Sequence, residues 1–263
     1  MQIIDRIYSD FFLPSRLDEY ENLIVSAKEA GYKHITIREF YNLLTSSSIN
    51  TSDRYFIHRH DIDTDVKTAK LFFNIEKKHQ VKTSYYFRLS TFDVQLIKEI
   101  CEAGFEVGYH FEELSEYCKK YAIKDQHEVR SHFAEIANNF KRNCSYFEEK
   151  TGCKLHSVAA HGDFVNRVIN MPNNAFITEE LLSSLKIEFE CYNDLLIKNY
   201  GYIGSDTTYP KFYRPYSPFD AIKENIPVVY FLSHPRHWRS NVVENISDNL
   251  NRFREGLAYN RKK

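Results

Sequence analysis

The sequence predicts an α/β fold with a mostly parallel sheet, open or closed into a barrel, and three observations carry that expectation. Short runs rich in β-branched and aromatic residues alternate with stretches of helical periodicity. The alternation continues along most of the 263 residues. Titratable side chains gather where the apolar runs end. Such alternation implies right-handed crossovers between parallel strands, and the length suits one barrel-sized unit.

The elements follow in order. Leu17, Tyr20, Leu23 or Ile24, and Ala27 recur at helical spacing, with Gly31 closing the helix; a short strand and a second helix come next. "RYFIHRHDID" reads as a strand ending in acids. "TDVKTAKLFFNIEKKHQ" reads as a helix carrying Val66, Ala69 and Phe72 or Phe73 on one face; Asp63 or Thr64 would cap it and Asp65 would sit in its first turn. "VKTSYYFRLS" has strand composition. "FDVQLIKEICEAG" is a helix with Val94, Ile97, Ile100 and Cys101 inward, and "FEVGYH" is the next strand. Residues 112–150 read as a turn and one long helix through Val129, Phe133, Ile136 and Phe140, ended by Gly152. "KLHSVAAHG" is a strand, "NRVINMPNNAF" an irregular loop and "TEELLSSL" a helix. "YGYIGSDTTY", the Pro-marked loop "YPKFYRPYSPF" and a buried strand in "IPVVYFLSHPRHW" follow. The last segment aligns Val243, Ile246, Leu250 and Phe253 as the apolar face of an amphipathic helix. No repeat or linker interrupts the pattern, so residues 1–263 read as one domain, with an extension over 1–53 and a barrel core over 54–263.

Composition narrows the function classes. Lys and Arg number 35 against 36 Asp and Glu, and the only basic cluster is the Arg261-Lys262-Lys263 tail, which argues against nucleic acid as a partner. Asp5, Arg6 and Asp10 interrupt the first apolar segment and no window reaches the length of a membrane span, so a cytoplasmic protein is expected. Five widely spaced cysteines without a CxxC pair point to reduced thiols. No GxGxxG or phosphate-binding loop supports a nucleotide-dependent reaction.

In parallel α/β folds the active site lies at the carboxyl ends of the strands. Applied here, the rule selects His60, Asp61 and Asp63; His110 with Glu112 and Glu113; His161 and Asp163; and His234. Four strands would thus bring four histidines to one rim. Asp61 and Asp63, two positions apart, share a side of an extended chain, so one carboxylate could bind a cation while the other stays free as a base. A carboxylate with two imidazoles makes a three-ligand zinc site with an open fourth position, where a bound water becomes acidic enough to supply hydroxide at neutral pH.

These residues resemble a family. "RHDID", "EVGYHFEEL", "VAAHGDF" and "LSHP", in that order over roughly residues 54–238, are similar to the motifs of polysaccharide deacetylases of the NodB type, carbohydrate esterase family 4, in the subset whose first motif is D-x-D. The resemblance implies a distorted (β/α) barrel of about seven strands and a metal-dependent amide hydrolase acting on acylated amino sugars. It implies Asp61 as catalytic base, Asp63 and His110 as metal ligands, His234 as general acid, and Asp206 as the carboxylate that charges His234. The family's second motif carries another histidine where this chain has Leu114, so His161 is expected as the third ligand, ahead of Glu113 and His156. The arginine that steadies the base is absent from "AAHGD", leaving Arg59 or Arg214 for that task.

The expected reaction is therefore removal of an acyl group, acetyl first, from a sugar nucleotide or glycan intermediate of surface polysaccharide synthesis, with Zn²⁺ or another divalent ion. Tyr213, Tyr216 and Trp238 stand near the rim and are candidates to stack on sugar rings. Two other readings compete: a non-catalytic carbohydrate-binding relative without its metal, and a barrel hydrolase of another amide or ester.

Overall fold

The computed structural model of the protein describes residues 3–261; Lys262 and Lys263 of the basic tail lie outside the described residues. Helices α1 (Ile3–Phe11) and α2 (Leu17–Glu29) open the chain, followed by β1 (Tyr32–Ile35), α3 (Ile37–Thr45) and β2 (Arg54–Ile62). The alternation continues through α4 (Val66–His79), β3 (Ser84–Phe87), α5 (Val94–Glu102) and β4 (Glu106–Phe111). Three helices, α6 (Glu113–Tyr121), α7 (Gln126–Ser131) and α8 (Phe133–Thr151), lead to β5 (Ser157–Ala160). Then come α9 (Phe164–Ile169), α10 (Glu179–Leu185), β6 (Phe189–Glu190), α11 (Asp194–Asn199), β7 (Tyr202–Asp206) and β8 (Tyr213–Arg214). The chain closes with α12 (Pro218–Lys223), β9 (Val228–Ser233) and α13 (Val242–Arg261).

The expected α/β class with a mostly parallel sheet is what the chain forms. Nine strands make one sheet in the order β6-β5-β4-β3-β2-β9-β7-β8, and β1 pairs with β2 beside that path. Strand β2 is its centre. It pairs in parallel with β9 over Tyr55–His60 on one edge, while β1 and β3 share the other edge end to end, β1 over Arg54–Ile57 and β3 over Arg59–Ile62. Only β8 runs antiparallel, against β7. The sheet curls without closing: no pairing among the described residues joins β6 to β8.

Period-two alternation sorts β2 into two faces. Phe56 and Ile62 join the larger apolar cluster, in which α2 and α4 pack Tyr20, Leu23, Phe72 and Phe73 against the sheet. Tyr55 and Ile57 face a smaller cluster enclosed by the curl, with Tyr86, Ala159, Phe189, Cys191 and Tyr230, and α3 seals it with Ile37 and Phe40. Thr36 starts α3 with a capping box, its hydroxyl accepting from Glu39 N–H while Glu39 accepts from Thr36 N–H. Gly108 lies beside Tyr86 in the register; a Cβ there would sit 2.2 Å from the Tyr86 ring, so the glycine lets that ring cross the enclosed space.

Three expectations need correction. The stretch 112–150 is three helices, because Ala122 ends α6 in a left-handed conformation and the Asp125 carboxylate caps α7. Asp65 caps α4, accepting from Thr68 N–H at 3.2 Å and from Asn241 Nδ2 at 2.8 Å, in place of Asp63 or Thr64. Part of "NRVINMPNNAF" is helix α9, started by a capping box between Asp163 and Asn166. The amphipathic helix expected last is α13, and its apolar face points outward; its buried face holds Asn245 and Tyr259, whose side chains donate to the carbonyls of Asp10 and Ile123. No helix among the described residues is long and apolar enough to cross a membrane.

Candidate active site

Arg59 and Asp61 occupy the β2 face toward the enclosed cluster, at its upper end, and both are buried. Their pairing is bidentate: Nε donates to Oδ1 and Nη2 to Oδ2, each at 2.7 Å. Tyr86 and Tyr192 flank the guanidinium, each ring centroid 5.2 Å away, and Nη1 donates to Tyr230 Oη at 3.2 Å. Of the two arginines expected to steady Asp61, Arg59 does so, and Arg214 is exposed on β8.

Asp63 follows on the loop after β2, beside two imidazoles from the ends of other strands. Its Oδ1 is 3.2 Å from His110 Nε2 and 3.5 Å from His161 Nε2, yet is buried without a hydrogen bond. The structure thus brings Asp63, His110 and His161 together, with Asp61 Oδ2 at 3.4 Å from His110 Nε2. His110 Nδ1 donates to the Ala159 carbonyl at 3.0 Å. In a neutral ring that leaves the Nε2 lone pair turned toward two carboxylate oxygens. Such an opposition calls for a cation or a proton between them.

On its other side, His161 Nδ1 lies 3.3 Å from Glu112 Oε2, without hydrogen-bond alignment, and Arg88 clamps Glu112 through both carboxylate oxygens. Burial alone would lower the His161 pKa, but the Asp63 and Glu112 carboxylates hold it up at about 9. Burial likewise disfavours the charged form of Asp63, and the His161 charge overrides it, holding Asp63 well below the usual carboxylate range. One carboxylate oxygen and two imidazole nitrogens, backed by Glu112 and a backbone carbonyl, fit a divalent transition metal.

The second polar centre surrounds Asp206, buried at the end of β7. Its Oδ1 receives His234 Nδ1 at 2.7 Å and His237 Nδ1 at 2.9 Å; its Oδ2 receives the His234 backbone N–H at 2.7 Å and Trp238 Nε1 at 2.8 Å. Burial raises the Asp206 pKa, but the His237 and His234 charges and hydrogen bonds lower it further, so the carboxylate stays ionised. Desolvation would lower His234; Asp206, helped by the more distant Asp63 and Asp61, raises it to about 9. With Nδ1 committed to Asp206, a proton delivered by His234 leaves from Nε2.

A cavity of about 640 Å³ opens over Asp63, Arg88 and His161 and is walled on the far side by α13. A second, of about 230 Å³, holds His234 and His237 and meets the first at Asp63 and Thr64.

Several expected residues lie elsewhere. His60 is on the opposite face of β2 from Asp61: its Nε2 meets Glu76 Oε1 at 2.7 Å and its Nδ1 meets Ser233 Oγ at 2.7 Å. Only three of the four strand-end histidines therefore reach the rim. Glu113 turns into the helical layer, accepting from Tyr109 Oη and Asn143 Nδ2, and burial raises its carboxyl to about 7. His156 pairs with Glu188, and Leu114 is fully buried in the larger core. Trp238 is fully buried and cannot stack on a ligand; Tyr213 donates to Glu19, and Tyr216 contacts Glu224 at 3.3 Å. Arg88 and His237 are not among the residues the sequence reading selects, although each follows a strand, and the strand-end rule extended to "YYFRLS" and "SHPRHW" marks both.

No family model matches this chain, and no curated protein does. Solved structures similar to it include the Streptococcus pyogenes deacetylase PplD in complex with acetate, at 10% identity, covering 84% of each chain, TM-score 0.45. Another is BA3943 from Bacillus anthracis, a CE4 family pseudoenzyme, at 13% identity over 77% of this chain and 62% of that one, TM-score 0.41. A third is the peptidoglycan deacetylase PdaC from Bacillus subtilis, at 12% identity over 81% of this chain and all of that one (100%), TM-score 0.37.

Proposed function

We propose that the protein is a metal-dependent hydrolase that removes an acyl group, acetyl in the simplest case, from an amino sugar. One observation carries the reading: a buried Asp63 oxygen without a hydrogen bond faces two imidazoles, beside an Asp61 locked in place by Arg59. Asp63, His110 and His161 would hold the ion, Zn²⁺ or another divalent metal. When bound, it supplies Lewis acidity to the acyl oxygen and acidifies water.

The chain's own residues do the rest. Asp61, fixed by two hydrogen bonds from Arg59, accepts the proton of the attacking water. Water adds to the acyl carbon, and the C–N bond then breaks. His234 delivers the proton that lets nitrogen leave as an amine, and Asp206 keeps the imidazolium charged and oriented. Glu112, clamped by Arg88, places negative charge beside the His161 ring.

A cavity of about 640 Å³ falls within the ordinary size of a small-molecule site and suits a sugar nucleotide or the end of a glycan intermediate in surface polysaccharide synthesis. Five free cysteines support a reducing, cytoplasmic setting. Leu114, buried where the resembled family has its second histidine, favours a second reading, a carbohydrate-binding relative without metal.

Elemental analysis of the purified protein decides between them. The hydrolase reading expects about one divalent ion per chain, absent from Asp63→Ala, with acetate or formate released from acylated sugar nucleotides. No stoichiometric metal in the wild type at neutral pH would overturn it.

A further inference from the structure

The smaller cavity, of about 230 Å³, is lined by Arg6, Arg236 and Arg252 beside His234, His237 and Thr64. One network holds the three guanidiniums together. Arg6 Nη2 and Arg236 Nη2 both donate to Asn249 Oδ1, at 3.0 and 2.9 Å. Asp248 pairs with Arg236 and, at 2.9 Å, with Arg252 Nε; Asp10 accepts from Arg236 Nε at 3.2 Å and lies 3.6 Å from Arg6 Nε. Three cations share two carboxylates, so one positive charge is left over. Beyond this network the larger cavity has the opposite balance, with Asp163, Glu244 and Glu255 against Arg167 and the Lys119 that pairs with two of them. An anion entering the joined space is drawn to the arginine end.

That end also has donors to spare. Arg252 spends Nε on Asp248, and Arg6 spends Nη2 on Asn249, so both Nη groups of Arg252 and Nη1 of Arg6 make no hydrogen bond among the described residues. Both side chains are about half exposed, and both line the two cavities where they join. Thr64 lines both cavities as well; it is nine-tenths buried, and its hydroxyl has no partner. Guanidinium forks from α1 and α13 and a hydroxyl from the loop after β2 suit the tetrahedral oxygens of a phosphoryl group.

We propose that the smaller cavity binds a phosphoryl group carried by the substrate. Its volume is below that of a whole small-molecule site and suits one substituent of a ligand whose sugar occupies the larger space. The substrate class is then an acylated amino sugar phosphorylated on its anomeric carbon. In a 2-acylamino sugar that carbon adjoins the one bearing nitrogen, so the phosphoryl group falls beside His234, which lines the same cavity and protonates that nitrogen. This last step rests on the hydrolase reading, whereas anion binding by the arginines does not.

The test is isothermal titration of the intact protein with orthophosphate, N-acetylglucosamine and N-acetylglucosamine 1-phosphate. The sugar phosphate should bind at least about tenfold tighter than the neutral sugar, and Arg252→Ala should weaken orthophosphate and the sugar phosphate about tenfold while leaving the neutral sugar unchanged. Arg6→Ala, on the other helix, should act in the same direction, which keeps the reading testable if Arg252→Ala misfolds. Asp63→Ala, without its metal, should still bind orthophosphate. Loss of that binding would place the anion on the metal and overturn the proposal. So would a sugar phosphate bound no tighter than the neutral sugar, or no tighter than orthophosphate, the second result assigning the cavity to a free anion. Arginine variants that weaken all three ligands alike would overturn it too. Acetate release in the same preparations keeps the two proposals apart: phosphate binding by a protein that releases no acetate would sink the hydrolase and leave the anion site, and hydrolysis with no preference for the phosphorylated sugar would do the reverse.

Discussion

The two faces of β2 present the same kinds of residue with opposite outcomes. Toward α2 and α4, His58 and His60 enter a closed network: Glu76 accepts from Tyr20, Tyr85 and His60, and Ser233 Oγ contacts both imidazoles, at 3.2 and 2.7 Å. Within it, His58 Nδ1 is the one ring nitrogen left over, and burial holds that ring neutral. Toward the enclosed space, Arg59 and Asp61 also satisfy each other, but the next acid along, Asp63, keeps a buried oxygen that makes no hydrogen bond with the two imidazoles it faces. The difference separates architecture from chemistry. A buried polar cluster that closes its own hydrogen bonds holds the fold together, and one that leaves acceptors opposed has room for something the chain does not supply.

The largest effect that sharpens this contrast is expected on the open face. Asp61→Asn should lower deacylation about 10³-fold while metal content stays at one per chain, read by acetate release alongside elemental analysis. On the closed face the converse holds. Glu76→Gln should cost roughly 3 kcal/mol in urea denaturation, because buried donors lose a charged acceptor, and leave metal content unchanged. Loss of metal in Glu76→Gln would break the separation of the two faces.

A smaller effect concerns the Asp206 centre. His234 is raised to about 9, so its acid form persists through neutral pH and activity should fall only as pH rises through that value. Asp206→Asn removes the main cause of the rise, and the basic limb of the pH–rate profile should move down toward the ordinary histidine value, a loss of roughly 30-fold at pH 8. Smallest of all should be Leu114→His, which points a polar ring into the larger core: a stability loss of roughly 1–2 kcal/mol and no added metal, measured by the same two methods.

What could be read from the sequence follows from these faces. Strand alternation and the strand-end rule located Asp61, Asp63, His110, His161 and His234, because period two and parallel packing are written in residue order. The same rule misplaced His60, since it counts distance to the strand end and ignores that adjacent residues face opposite ways. Strands β6 and β8, two residues each, are too short to leave a pattern. The periodicity of α13 reveals an apolar face but not what meets it, since an outward stripe and a core stripe have the same spacing. The break after α6 comes from left-handed Ala122 and the Asp125 cap of α7, inside an otherwise continuous helical pattern.

The Asn241 amide, 2.8 Å from the Asp65 carboxylate, joins the root of the last helix to the loop that carries Asp63 two residues earlier. The same carboxylate oxygen steadies the first turn of α4, so three segments share one joint. Any load that lifts the root of α13, whether heat, a protease or a pull along its outer stripe, therefore slackens the footing of Asp63 before it reaches β2.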